Sequence, residues 1–280
     1  MRTVVVAAVA AMVVTPMMAA GQEWRDVTLS RQLESNDGLR VRVEYGAGRV
    51  TVRSVDEGLL YRMNLKYDED SFEPVAELTG DRLRLGVESL GRSTRIRNRE
   101  RGHLELELAR GIPMDLDLNF GAVRTEIDLA GLALTDLALS TGASESRVTI
   151  SEPNPVRMGT ATFEAGAAEF GATQLGNLKA ELIEVGAGVG SIMLGFGGRW
   201  EQDARVSIDM RLGSLELRIP EGLGVRLRKD SFLTALDSEG LIKRGDVYDS
   251  LDYEDADYRI DIDLNAAFGS VSVVWIDPDN

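Results

Sequence analysis

The sequence predicts an all-β protein built as a β-solenoid, a single-stranded type of β-helix whose stacked coils of about 20–28 residues turn at glycine corners; a β-sandwich is the alternative. Three observations predict it. Nearly everything after residue 38 alternates apolar with polar residues, as in LRVRVEY, DRLRLGVE, HLELELA, PMDLDLNF and ARVSIDMRL, which is the period of a half-buried strand. No stretch sustains the i, i+3, i+4 pattern of a helix over three turns. Strand-like segments run into a glycine followed by Ala or Ser at Gly46, Gly121, Gly142, Gly166, Gly186, Gly213 and Gly269, and from Gly121 to Gly213 the spacing is about 20 to 27 residues, a repeat length typical of stacked units.

In chain order, residues 1–21 come first. Arg2, the apolar run TVVVAAVAAMVV and the small-residue exit MMAAGQ have the layout of a secretory signal peptide, too short for a membrane span, with cleavage expected between Ala20 and Gln22. Residues 22–110 form a first β section and residues 111–280 the repeated stack. Residues 91–103, GRSTRIRNRERGH, and 244–258, RGDVYDSLDYEDADY, interrupt the alternation and are expected as a basic and an acidic loop. An internal echo ties the stack together. MDLDLNFGAVRTEIDL from Met114 and IDIDLNAAFGSVSVVWI from Ile260 share the same polar–apolar frame and a Phe-Gly pair, and SIDMRLGSLELRI from Ser207 keeps the apolar positions.

Composition narrows the function classes. With 31 basic and 46 acidic residues the formal net charge is −15, which disfavours nucleic acid and anionic membrane surfaces as partners. No transmembrane segment is expected once the signal is removed. Cysteine is absent, so an exported chain of this kind is held by its core and repeats rather than by disulfides.

Candidate chemistry is sparse. The stretch EVGAGVGSIMLGFGG at residues 184–198 places glycines at 186, 188 and 190, yet lacks the sixth-position glycine, the following helix and the lysine that phosphate-binding loops require. It is expected to be a corner, with Gly186 equivalent to the other six, and Gly186→Val is expected to cost about 1 to 3 kcal/mol through strain. Asp115, Asp117 and Asn119, with Glu126 beyond, resemble calcium-loop spacing, but Phe120 occupies the sixth position, where glycine is needed. Alternation instead puts these side chains, like Asp261, Asp263 and Asn265, on a solvated strand face. No metal and no cofactor is expected. Arg92, Arg95, Arg97, Arg99 and Arg101, beside the sole histidine His103, are candidates for docking an anion. A lone histidine without cysteine, a nucleophile elbow or a zinc motif argues against an enzyme. Trp24, Trp200 and Trp275 are the only tryptophans, few for a saccharide cleft, and the last two are expected to pack or cap.

The pieces also resemble known families. LRVRVEYGAGRVTVRSVDEGLLYRMNLKYDEDSFEPVAELTGDRLRLGVE resembles the toast-rack amino-terminal domain. GSLELRIPEGLGVRLRKDSFLTALDSEGL with YRIDIDLNAAFGSVSVVW is similar to the carboxy-terminal domain of cell-wall-active antibiotic response proteins and to the β-solenoids of the putative-adhesin family. The resemblance spans most of residues 36–276. It implies a β-helical stack in the bacterial envelope, periplasmic or extracellular, with no catalytic residues to carry over; unlike the antibiotic-response relatives, this chain begins with a cleavable signal instead of membrane helices. The expectation is therefore a non-enzymatic structural or interaction (adhesin-like) module. Its partner is an unspecified envelope component or protein, and exposed solenoid edges allow oligomerisation. An envelope polysaccharide-binding protein or a carbohydrate-active enzyme on a β-helix is the alternative.

Overall fold

The structure is a computed structural model that describes residues 23–56, 58–91 and 101–277. The expected signal peptide and Arg92, Arg95, Arg97 and Arg99 lie outside the described residues. Among the described residues one open sheet gathers fifteen strands, and no helix is long and apolar enough to cross a membrane. The first section comprises β1 (Trp24–Gln32), β2 (Leu39–Val55), β3 (Leu59–Asp68), β4 (Phe72–Thr79), β5 (Arg82–Ser89) and β6 (His103–Ala109). Long strands follow: β7 (Pro113–Asp128), β8 (Ala133–Thr149), β9 (Met158–Thr173), β10 (Ala180–Gly195), β11 (Ala204–Pro220) and β12 (Gly224–Asp237). The chain ends with the short β13 (Leu241–Arg244) and β14 (Val247–Ser250) and the long β15 (Arg259–Ile276).

From β2 through β12 the long strands pair in parallel, rung on rung. This is the expected solenoid; the sandwich alternative, with its antiparallel neighbours, does not hold. Each long strand is two arms joined at a corner. In the first arm alternate residues point inward and stack as columns, one of which runs Val41, Leu116, Leu137, Ala161, Ile183, Val206, Ile262 and Leu227, all buried. The second arms contribute columns such as Val52, Ile127, Val148, Ala172, Leu194, Leu217 and Val273. Both sets belong to one apolar cluster, so the core lies between the two walls of the bent sheet, and each coil buries its apolar face only against its neighbours.

The corner works by a slip in phase. In β7 the buried residues Met114, Leu116, Leu118 and Phe120 occupy even positions, whereas Val123, Thr125 and Ile127 occupy odd ones. That slip turns the chain while keeping apolar residues inside, and it creates two separate rows of close backbone approach. In the first row Gly46, Gly121, Gly142, Gly166 and Gly188 succeed one another, and a Cβ on Gly121 or Gly188 would overlap the carbonyl oxygen of the glycine on the preceding rung. Two residues further on, Gly190, Gly213 and Gly269 are paired in register at φ of 142–149°.

Gly186 therefore is not equivalent to the other corners. It pairs with Glu164 and Asp209 on the first arm, outside the left-handed region, and a Cβ there would meet only the Glu164 side chain at 3.7 Å. The strain expected of Gly186→Val is absent. The echo between residues 114 and 260 is real, since Asp115, Asp117 and Asn119 share rung positions with Asp261, Asp263 and Asn265, but the Phe-Gly pairs are offset. Phe120 is 5% exposed and faces the core; Phe268, two residues further along its coil, is 46% exposed and faces out.

The two ends are built differently. At the first end β2 splits the walls: its first arm pairs with β5, which pairs with β4, and its second arm pairs with β6, then β3 and β1. No gap in pairing marks residue 110, because β2 and β7 pair from Leu39 to Val52. At the far end the last strand is not the edge. β15 slots between β11 and β12, and β14 and β13 extend β12 antiparallel, so the acidic insert supplies strand β14 as well as the turn after it. Trp275 donates its ring N–H to the Glu239 carbonyl at 2.8 Å, capping the turn that leads into β13.

Return turns between coils carry their own polar ties. Buried Asn154 donates to the carbonyls of Leu134 and Leu178 and accepts from the Leu134 N–H. Buried Asn177 donates to the Ile150 carbonyl and accepts from the Arg199 N–H. Each amide satisfies backbone groups that the turns would otherwise bury unpaired. Trp200 covers Gly176 in the short 3-10 turn Leu175–Leu178 and donates to the Phe196 carbonyl.

Candidate functional site: a groove along the corners

Where the first arms meet the corners, the outer surface is concave. A groove of about 1190 Å³ runs from Phe72, Val87 and Ser89 at the first end, across every long coil, to Asp230 and Asn265 at the other. Its floor is the first corner row: Gly46, Gly121, Gly142, Gly166 and Gly188 line it. Beyond them the row continues as Arg211 and Ala267. One wall is the outward row preceding the floor: Glu44, Asn119, Ser140 and Glu164, then Gly186, Asp209, Asn265 and Asp230, joined rung by rung. The small Gly186 opens the wall between Glu164 and Asp209, which gives that glycine a place in the groove rather than in the corner.

One residue beyond the floor runs an outward column whose size grows along the stack. Ala143 and Ala167 lead to Val189, Leu212 and Phe268 in register, the last three 52%, 49% and 46% exposed. At the first end Tyr45 lies beneath the groove, its hydroxyl donating to the Lys66 carbonyl at 3.0 Å and its ionisation pushed well up by burial.

The acidic strand faces are tied into the surface. Asp117 accepts from the Asn119 amide at 2.6 Å and faces Arg42 at 3.5 Å; Asp263 pairs with Arg228 at 2.5 Å, and Asp261 accepts from the Tyr253 hydroxyl at 2.8 Å. Burial first, then the neighbouring Asp136 and Asp117, holds the Asp115 carboxyl above its usual range. Among the described residues no group of three metal-ligating side chains converges.

Of the arginine candidates, Arg101 is described and exposed. His103 opens β6 opposite Lys66 and Arg49 and lines a shallow cleft with Asp26, Asn64 and Glu105, whose lining shares no residue with the corner groove. Composition and periodicity did not reveal the groove. The usable signal was positional: glycines directly after the last inward residue of an arm form a floor, whereas those three residues after it do not.

No curated protein matches the chain. Among solved structures, it is similar to a "putative cell adhesion protein" from Clostridium sporogenes, with 15% identity and a TM-score of 0.46 over 91% of this chain and 100% of that one. A "putative adhesin" from Bacteroides fragilis matches at 12% identity and a TM-score of 0.34 over 89% and 97%. A "putative lipid binding protein" from Parabacteroides distasonis matches at 8% identity and a TM-score of 0.36 over 91% and 96%. Residues 20–170 match the family model of the N-terminal domain of toast_rack, and the chain belongs to that family.

Proposed function

We propose that this chain is an exported, non-enzymatic module of the bacterial envelope that works by adhesin-like interaction, holding an envelope component along the corner groove. The observation that carries this reading is the continuity of the groove: one floor of glycines and one outward wall persist over successive coils, which suits an elongated partner better than a small substrate. The leader-like residues 1–21 support export.

The test is retention of envelope fractions by the immobilised protein, compared with Ser140→Trp. Ser140 is an outward groove residue, so the indole obstructs the channel without entering the core. Retention by the parent and its loss in the variant are expected; equal retention by both contradicts the groove as the working surface.

A further inference from the structure

Three carboxylates share one row of the groove. Other carboxylates of the molecule are held by arginines: Arg53 and Arg62 hold Glu107, Arg124 and Arg147 hold Glu145, and Arg228 holds Asp263. Glu164, Asp209 and Asp230 line the groove and make no side-chain hydrogen bond or ion pair among the described residues. Among the described residues Arg211 is the only cation lining the groove and leaves that stretch net negative. Uncompensated like charges on a chain of net charge −15 are a standing repulsion that a cation relieves.

Their spacing is regular. They sit on β9, β11 and β12, each two strands apart in the sheet order, so successive carboxylates are about 9.6 Å apart at the usual strand separation. A polyproline II chain advances about 9.3 Å in three residues. One residue beyond the corner row run Val189, Leu212 and Phe268, exposed and in register, an apolar rail of the kind on which the methylene stems of Lys or Arg and proline rings pack.

We propose that this end of the groove binds an extended, cationic polypeptide segment in polyproline II conformation, with Lys or Arg at every third residue facing Glu164, Asp209 and Asp230. The proposal rests on the reading of the groove as an interaction surface and names its partner class. Charge complementarity and the matched repeat select a polypeptide over a neutral glycan.

The test is fluorescence anisotropy with the full chain and a labelled peptide of four Lys-Pro-Pro repeats, with a Glu-Pro-Pro peptide and a neutral labelled hexasaccharide as comparators. Saturable binding of the lysine peptide alone, weakening as salt rises, is expected. The triple variant Glu164→Gln, Asp209→Asn, Asp230→Asn keeps shape and is expected to weaken binding about tenfold or more. Glu181→Gln, Glu221→Gln, Asp257→Asn removes the same charge from exposed sites off the groove and is expected to leave binding within about twofold. Equal weakening by both triples, or no lysine-peptide binding, overturns the proposal. Binding of the hexasaccharide in place of the peptide also overturns it, while leaving the groove an interaction surface; loss of envelope retention with Ser140→Trp bears on that broader reading alone.

Discussion

Gly213 lies directly beneath Gly190. With φ of 149°, its Cα is so close to the Gly190 carbonyl that a Cβ would overlap the oxygen. The same relationship joins Gly269 to Gly213 one coil later. Because the obstacle is backbone and the conformation is one that L residues rarely adopt, Gly213→Ala is expected to cost about 3 kcal/mol or more. Gly186→Ala, which meets only a flexible carboxylate, is expected to cost less than about 1 kcal/mol. Denaturant melts of the two variants check the contrast.

Thr125 and Ser146 are neighbours on one inward column, and their hydroxyls are buried without a hydrogen-bond partner. Such groups keep their desolvation cost and return nothing for it. Thr125→Val is expected to be neutral or to stabilise by up to about 2 kcal/mol, read from the melting midpoint. A loss of stability would mean that the hydroxyl is bonded.

Asp249 is buried and accepts from Arg226 through two nitrogens at 2.8 and 3.1 Å, while Arg226 also lies 4.0 Å over the Tyr253 ring. The Arg226 hydrogen bond holds the Asp249 carboxyl below its usual range despite its burial. A depressed folded pKa contributes stability that is complete above the ordinary aspartate value of about 3.9 and is lost as pH falls through the lower folded value. Asp249→Asn is expected to lower stability at pH 7 and to flatten the acid limb of a stability–pH profile.

Asp115 has the opposite sign. Its raised pKa, set by burial and then by Asp136 and Asp117, means that stability falls as pH rises through the folded value. Asp115→Asn is expected to raise the melting temperature at pH 7, with the gain disappearing below about pH 4.

β15 completes the sheet from its middle, pairing with β11 over Ala204–Ile260 to Pro220–Ile276 and with β12 over Gly224–Arg259 to Asp237–Ser272. Ending the chain at residue 258 leaves β11 and β12 with no common neighbour. Such a truncation is expected to expose both strands to proteolysis while β7 to β9 stay protected, a pattern that limited digestion reads.

The two-residue period, the coil length and the Asp-apolar-Asp echo were legible because inward columns need apolar residues at fixed positions whatever the neighbour. The corner glycines were legible as a group but not as two rows. Grouping them by a following Ala or Ser merged Gly121, directly after inward Phe120, with Gly213, three residues after inward Met210. In GAGVG three glycines two residues apart serve different places, and only the inward Val185 and Ala187 assign them. The Asn154 and Asn177 ties were hidden because their turns share no length, and the insertion of β15 leaves no mark on strand periodicity. The groove is a property of rungs in register, which a single coil does not display.

The groove exists only if the coils stack in parallel register, and the absence of native cysteine permits a direct measurement. Ser191 and Ser214 are paired on adjacent exposed rungs, their hydroxyls 3.2 Å apart. Under mild oxidation, Ser191→Cys with Ser214→Cys is expected to form an intramolecular disulfide in the folded protein, whereas Ser191→Cys with Glu216→Cys, two residues out of register, is expected to stay reduced. Crosslinking of the second pair and not of the first would contradict the stack and the groove with it.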